Sequence, residues 1–179
     1  MKILAFAASS SRNSINKQLA TYAASLVEDA NVTVLDINDY EMPIYSSDRE
    51  EESGIPDQAH AFRKMIGKAD ALIISFAEHN GSYTAAFKNL FDWTSRIDRK
   101  VYQGKPIVML ATSPGPGGAK NVLNTAVTSA PYFGGEVKAH LAVGSFYEAF
   151  DQEMSRFKNE EVQMNVEAAL ATLSDVQVA

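Results

Sequence analysis

The chain contains no cysteine, which excludes disulfide bonds, thiolate metal ligands and thiol nucleophiles. No stretch reaches the about 18 consecutive apolar residues of a membrane-spanning helix, and the apolar stretch after Met1 is too short for a signal peptide. No segment repeats at a fixed period or is low in complexity. We therefore expect a cytoplasmic protein with no membrane partner.

Basic residues are also few: 16 Lys and Arg against 22 Asp and Glu give a net charge of -6. Because the negative charge is spread along the chain, a nucleic-acid partner is not expected. Acidic side chains cluster only at Asp48, Glu50, Glu51 and Glu52, a stretch that we interpret as a solvated loop. No cluster of His, Asp or Glu has the spacing of metal ligands, so no metal site is predicted.

Five apolar runs have the length of a β-strand, and each is separated from the next by a stretch of helical character. With 179 residues and 46% hydrophobic content, we predict a single domain over residues 1–179. Strands that alternate with helices indicate an α/β fold with a parallel sheet, and the continuous apolarity of two of the runs indicates helices on both faces. The predicted strands are Ile3–Ala8, Val32–Leu35, Ala71–Phe76, Ile107–Ala111 and Val137–Val143.

Helical spacing of apolar residues predicts four helices and a fifth that follows Asn159, an N-cap residue with acidic residues in the first turn. This last helix should bury Val162, Val166, Ala169, Leu170 and Leu173. The first four helices are predicted over Asn16–Ala30, Asp57–Lys68, Thr84–Ile97 and Asn121–Ala130. One long connection, Ile37–Pro56, is predicted to border the active site, since long loops in compact domains are often functional.

Ligands of open α/β sheets bind beyond the carboxyl ends of the strands, so the loops there are the candidate site. The loop after the first strand carries serines, amides and one arginine ahead of a helix, which suits a phosphate monoester. The equal alternative is a serine-rich connection in which Ser14 is an ordinary N-cap. The loop lacks the glycine patterns of dinucleotide folds and P-loops, and it lacks the carboxylates of a phosphoacceptor site.

The loops after the third and fourth strands are also unusual. Residues 77–84 read Ala-Glu-His-Asn-Gly-Ser-Tyr-Thr, and residues 112–118 read Thr-Ser-Pro-Gly-Pro-Gly-Gly. Glycines in the latter allow the backbone to approach a flat ligand closely. Alone, a Gly/Pro-rich loop is more often only a turn.

Together, the three loops resemble those of the NADPH-dependent FMN reductase family, which includes quinone, azo-compound and chromate reductases. The family's first loop, G-S-x-R-x-x-S-x-N, is matched by Ser9, Ser14 and Asn16, with Arg12 one residue later than Ser11, which stands at the family's arginine position. The second, P-E-Y-N-x-S-x-P-G-x-L-K-N-x-x-D-W, is matched by Glu78, Asn80, Ser82, Lys88, Asn89, Asp92 and Trp93. The third, G-K-P, a strand and S-P-G-x-x-G-G, is matched by Gly104, Lys105, Pro106, Ser113, Pro114, Gly115 and Gly118, with Gly117 beside it. The resemblance covers the chain from Met1 to about Val143.

The resemblance implies a flavodoxin-like fold, with the five strands in the order 2-1-3-4-5. It implies that FMN is the cofactor, that NADPH or NADH is the co-substrate, and that a small-molecule oxidant receives the hydride. The implied phosphate residues are Ser9, Ser11, Arg12, Ser14 and Asn16, and the implied ring residues are Ala77, Glu78, His79, Asn80, Ser113, Pro114, Gly115, Gly117 and Gly118. It also implies a homodimer or a dimer of dimers built around the helix that follows Thr84.

Because the hydride chemistry belongs to the flavin, we expect no indispensable catalytic side chain. His79 stands where the family has tyrosine, and we expect a backbone contact rather than a proton-donor role. Lys88, Asn89, Asp92 and Trp93 are interpreted as structural: Asn89 and Asp92 should brace the flavin loop, and Trp93 should fill the core or a subunit contact. Ala77, Thr84 and Ala85 replace family residues that include two prolines, which should loosen the loop and weaken FMN binding.

Two other functions remain open. A flavodoxin-type electron carrier would need a strongly acidic rim around the flavin, and the moderate charge and Arg12 count against it. A non-enzymatic binding or redox-sensing module is the other alternative, suggested by the substitutions in the second loop.

Overall fold

The computed structural model describes residues 1–173, so the last six residues of the predicted domain lie outside the described part. The strands are β1 Lys2–Ala8, β2 Asn31–Leu35, β3 Ala71–Phe76, β4 Glu78–His79, β5 Ser82–Tyr83, β6 Pro106–Thr112, β7 Glu136–Val143, β8 Phe150–Asp151 and β9 Arg156–Phe157. Five of them form a parallel sheet in the order β2-β1-β3-β6-β7, which confirms the predicted order. Two short antiparallel hairpins, β4–β5 and β8–β9, stand apart from this sheet.

Seven α-helices are described, together with 3-10 turns at Ile37–Tyr40 and Ala130–Phe133. The helices are α1 Ile15–Ser25, α2 Ser47–Ser53, α3 Asp57–Lys68, α4 Ala85–Ile97, α5 Lys120–Ser129, α6 Phe146–Ala149 and α7 Glu160–Ala171. Asn159 accepts hydrogen bonds from the amides of Glu161 and Val162 and so caps α7, as predicted.

Helices cover both faces of the sheet, as the apolar strands predict. One core cluster packs α3, α4 and α5 against the sheet and includes Phe62 and Trp93. The other packs α1 and α7 against the opposite face and includes Leu19 and Leu170. Every residue of β3 and β6 is buried, because both strands lie inside the sheet between these two clusters. The carboxyl ends of β1, β3 and β6 therefore meet at one edge of the molecule.

Two predicted elements are corrected by the structure. The first helix ends at Ser25 rather than Ala30, because the amides of Leu26 and Val27 bond back over three residues and Asp29 adopts a left-handed φ of 54°. The acidic stretch is the helix α2 and not a loop; Asp48, Glu51 and Glu52 are exposed as expected, whereas Glu50 is half-buried and pairs with Arg96 at 2.8 Å. The Ser46 side chain caps α2, and the acidic residues in its first turn suit the positive end of the helix dipole.

Candidate functional site

The loops after β1, β3 and β6 surround a cavity of about 260 Å³ at the carboxyl edge of the sheet. This is where the parallel topology requires a ligand of such a sheet to lie. Its lining residues are Ser9, Ser11, Asn13, Ser14, Ile15, Asn16, Ala77, Glu78, His79, Thr112, Ser113, Pro114 and Tyr147. The cavity thus brings together members of all three loops that the sequence singled out.

Two buried serine hydroxyls line this cavity. Ser9 is 8% exposed and accepts a hydrogen bond from the amide of Ser11, while Ser14 is 5% exposed and accepts one from the amide of Lys17. Within residues 1–173, neither hydroxyl donates a hydrogen bond to a protein acceptor. Since a buried donor normally has a partner, both hydroxyls are suited to a ligand oxygen in the cavity. Ser14 is the N-cap of α1, which confirms the capping alternative, and its position in the cavity wall leaves the phosphate role as a prediction.

Arg12 differs from its neighbours in this loop. It is exposed and is not among the residues that line the cavity, whereas Ser11 and Asn13 on either side of it are. Ser11, which stands at the family's arginine position, therefore lines the cavity, whereas Arg12, one residue later, does not. Asn13 was not singled out from the sequence.

Asn16 lies in the cavity wall, but its side chain serves the fold. Its Nδ2 donates to the carbonyl of Thr112 at 3.1 Å, and its Oδ1 accepts from the Thr112 amide at 3.0 Å and from Ser75 Oγ at 2.7 Å. Asn16 is 3% exposed and therefore ties the start of α1 to the ends of β3 and β6. These bonds use one of the two N–H donors of Nδ2, and through them Asn16 acts on the site by holding two of the loops together.

The second loop is the tight hairpin β4–β5, whose turn is Asn80-Gly81 with φ values of 51° and 77°. Positive φ at both turn positions is typical of a type I′ turn, for which Asn-Gly is the preferred sequence. Ala77, Glu78 and His79 line the cavity, whereas Asn80 lies at the exposed tip.

Glu78 also joins the second loop to the third. Its carboxylate accepts a hydrogen bond from the amide of Val122 at 3.0 Å and lies 3.4 Å from Asn121 Nδ2. Helix α5 has no side-chain cap of its own, because Ala119 occupies its N-cap position. Glu78 therefore takes the place of the missing cap, and its negative charge suits the positive end of the helix dipole.

The third loop rests on the segment that follows β7. The carbonyl of Gly115 accepts from the Ser145 amide at 2.9 Å, and that of Ser113 accepts from Phe146 at 3.1 Å. Gly118 has a φ of 61°, and a Cβ there would lie 3.0 Å from the Gly144 nitrogen. A Cβ on Gly144 would overlap the carbonyl oxygen of Pro116. Both glycines are required by this close approach.

Of the third-loop residues predicted from the sequence, Ser113 and Pro114 line the cavity. Gly115 and Gly117 are exposed beside it, and Gly118 is buried. Tyr147 also lines the cavity although its side chain is 54% exposed, and sequence reasoning missed it because it follows the fifth strand of the sheet.

Thr84 compensates for the lost proline at the start of α4. Its hydroxyl caps α4 by accepting from the Phe87 amide at 3.3 Å and donates to the carbonyl of Ala8 at 3.1 Å. It is 1% exposed, so the hydrogen bonds are shielded from water. Proline could make neither bond, so Thr84 holds the start of α4 by contacts that a proline at this position would lack.

The motif residues of α4 lie outside the cavity, as interpreted from the sequence. Trp93 is 1% exposed and its Nε1 donates to the carbonyl of Pro43 at 2.7 Å, so it belongs to the core. Asn89 braces a loop, but the loop is the 42–45 segment rather than the flavin loop. Asp92 does not brace a loop, because it forms an ion pair with Lys88 at 2.6 Å.

The long connection after β2 lines a second cavity, of about 290 Å³, together with Ser10 and the first turn of α4. The long connection contributes no residue to the wall of the three-loop cavity. It reaches the first loop only through the second cavity, which Ser10 also lines, so the prediction that it borders the site is met only at that point. A larger cavity, of about 480 Å³, lies near Lys2 and Lys68 at the opposite edge of the sheet, away from the three loops.

Residues 1–173 include no helix that combines the length and apolarity needed to cross a bilayer. Across the same residues, no group of three or more His, Asp or Glu side chains is arranged to hold a metal ion. The wall of the three-loop cavity combines hydroxyls, amides and backbone groups with one carboxylate, Glu78, and one imidazole, His79.

A doubly wound parallel sheet in the order β2-β1-β3-β6-β7 is a flavodoxin-like fold. The sequence profile of the NADPH-dependent FMN reductases matches residues 1–148. The chain belongs to this family.

Named relatives agree with this assignment. A 2-hydroxy-1,4-benzoquinone reductase of Burkholderia sp. is 39% identical over 117 residues, which cover 64% of this chain and 62% of the relative. A quinone reductase of Escherichia coli K12 is 34% identical over 98 residues, which cover 54% of this chain and 50% of the relative. The chain thus spans between half and 62% of the length of these curated relatives.

The fold is shared with solved structures over almost the whole chain. The flavoenzyme NAD(P)H:(acceptor) oxidoreductase FerB of Paracoccus denitrificans superimposes with a TM-score of 0.76. The two chains are 22% identical, and the match covers 98% of this chain and 96% of FerB. At this identity, the comparison shows the fold.

Proposed function

We propose that this protein is an FMN-dependent NAD(P)H oxidoreductase that passes a hydride from NAD(P)H to a small-molecule oxidant. The oxidant would be a quinone, an azo compound, a metal oxyanion or free flavin. The observation that carries the proposal is the cavity in which the three family loops meet, with two buried hydroxyls that donate to no acceptor among residues 1–173. The names of the curated relatives, which are quinone reductases, support the quinone class.

The residues of the cavity fit FMN. Ser9, Ser11 and Ser14 would hold the phosphate, and Asn16 would position them by its bonds to Thr112 and Ser75. The backbone of Ala77–Asn80 and of Ser113–Gly118 would hold the ring. A Cβ at Gly115 or Gly117 would point into open space, so the absence of a side chain there allows this backbone to come close to a flat ligand.

FMN supplies the hydride chemistry when it is bound. The protein's part is to orient NAD(P)H and the oxidant against the ring and to place amide donors where negative charge develops. No side chain is required to move a proton, and His79 contributes through its backbone. We infer a ping-pong cycle, in which oxidised nicotinamide leaves before the oxidant enters.

Anaerobic mixing of FMN-loaded protein with NADPH or NADH tests the proposal. We expect the yellow absorbance to bleach without an oxidant present, and to return when benzoquinone is added. A protein that binds FMN but is not bleached by either nicotinamide would be an electron carrier. Reduction that required the oxidant to be present would contradict the ping-pong cycle. Rates with both nicotinamides and a panel of oxidants would identify the preferred pair.

We further propose a homodimer built around α4, and a dimer of dimers is compatible with it. Phe87, Phe91 and Phe133 line a shallow cavity of about 150 Å³ between α4 and α5, beside Tyr83. Burial raises the pKa of the Tyr83 hydroxyl, which bonds to Ser129 and stays neutral. Phe87 is buried and Phe91 and Phe133 are half-buried, and a partly exposed aromatic cluster of this kind suits a second copy of the chain.

The proposal includes two further points. Dependence on NAD(P)H supports a cytoplasmic location. The predicted single domain is proposed to extend over residues 1–179, because α7 closes the core of the described part.

A further inference from the structure

The wall of the cavity that would receive the FMN phosphate contains His79 but no lysine or arginine among residues 1–173. The cation that follows the loop, Lys17, is paired with Asp36 at 2.5 Å and does not line the cavity. Arg12 is exposed and lies outside the lining.

Neutral donors are abundant in the same wall. Ser9 and Ser14 each accept a hydrogen bond but donate none to a protein group within residues 1–173, and both are more than nine-tenths buried. Ser11 and Asn13 add a hydroxyl and an amide at the exposed rim. The first turn of α1 leaves the amides of Ile15 and Asn16 without an intrahelical acceptor. Such groups bind a phosphate without a counter-charge.

We propose that this protein holds the FMN phosphate with neutral hydrogen-bond donors alone. These donors, here called the phosphate cradle, are the hydroxyls of Ser9 and Ser14 and the first amides of α1, and they are completed by Ser11 and Asn13 rather than by Arg12. This inference rests on the proposed function. The proposal has a consequence for the dependence of FMN affinity on salt. Because the phosphate is bound without an ion pair, low ionic strength should not strengthen its binding. Since the chain carries a net charge of -6, added salt would screen repulsion rather than attraction.

Binding of FMN and of riboflavin, measured side by side by flavin fluorescence, tests the cradle, because riboflavin lacks only the phosphate. For the unmodified protein, we expect the FMN dissociation constant to stay constant or fall between about 50 and about 500 mM NaCl. Arg12→Gln should change the FMN dissociation constant by less than about threefold, the same as the exposed control Arg99→Gln. The double variant Ser11→Ala, Asn13→Ala should weaken FMN by about tenfold or more and leave riboflavin unchanged.

Two results would overturn the cradle while leaving FMN binding established. One is an FMN affinity that falls about threefold or more in Arg12→Gln, with riboflavin unaffected. The other is a double variant that binds FMN as well as the unmodified protein does. If neither flavin binds to folded protein, the proposed function itself fails, and the cradle fails with it.

Discussion

Asn16 is the residue on which the arrangement of the loops depends most. Its amide makes three hydrogen bonds in a buried position, to the backbone of Thr112 and to Ser75 Oγ. Asn16→Ala would leave buried polar groups on β3 and β6 without partners, so we expect a loss of about 2–4 kcal/mol in the free energy of unfolding. Urea denaturation without ligand measures this loss. Its control is Asn13→Ala, exposed in the same loop, for which we expect a change below about 0.5 kcal/mol.

The ion pair between Lys17 and Asp36 predicts a small dependence of stability on pH. The hydrogen bond from Lys17 holds the pKa of Asp36 below its ordinary value of 3.8. Stability from a lowered carboxyl pKa is present above that ordinary value and is lost as the pH falls through the folded one. Both side chains are about one-third exposed, and solvent screens the pair.

Asp36→Asn should therefore lower the free energy of unfolding by less than about 1 kcal/mol at neutral pH. The difference between the two proteins should vanish as the pH falls below 3.8. Urea titrations at several pH values measure it. A difference that grew on acidification would contradict the assignment.

At the scale of single residues, the sequence names most of the cavity wall but not what each side chain does. Serines ahead of a helix suggest a phosphate loop, and Ser9, Ser11 and Ser14 do line the cavity. The sequence predicts that Asn16 binds phosphate, but its side chain is hydrogen-bonded to the backbone of Thr112 in β6, 96 positions further along the chain. Such partners are set by the folded topology, which no local pattern encodes.

Among the elements, α5 depends on a cap supplied by another loop. Since Ala119 offers no side-chain acceptor, the Glu78 carboxylate accepts from the Val122 amide instead. Glu78→Ala should lower the free energy of unfolding by about 1 kcal/mol and weaken FMN binding, because the second and third loops lose their link. Glu78→Gln keeps a neutral acceptor and should recover part of both losses. Thermal melts and FMN titrations of the two variants measure this, and equal losses in both would exclude a capping role.

The long elements follow from the sequence, and the short ones largely do not. β3 and β6 are continuous apolar runs because helices bury both of their faces, and such runs are readable locally. The Asn80-Gly81 pair is an exception among the short elements, because this dipeptide is a hairpin signal in the sequence and it forms the turn between β4 and β5. The hairpin β8–β9 is different: its strands are too short for a periodic pattern to show.

For the whole molecule, the aromatic surface of α4 predicts the state of assembly. The chain has a mass of 19.5 kDa, and light scattering on a sizing column should give twice that value. Phe91→Glu would place a charge in the proposed interface and should give the monomer mass. Val34→Glu is the matched control, because Val34 is exposed on the edge strand β2 and should not affect assembly. A monomer mass for the unmodified protein would contradict the homodimer.

The arrangement of the whole molecule rests on one ligand site, formed where three loops meet at the carboxyl edge of the sheet. Calorimetric titration of the flavin-free protein with FMN tests that site most directly. We predict saturation at one FMN per chain, and a clear loss of affinity in Gly118→Val, which displaces the third loop from the segment after β7. Folded protein that takes up no FMN, or a Gly118→Val variant that binds it unchanged, would contradict the account.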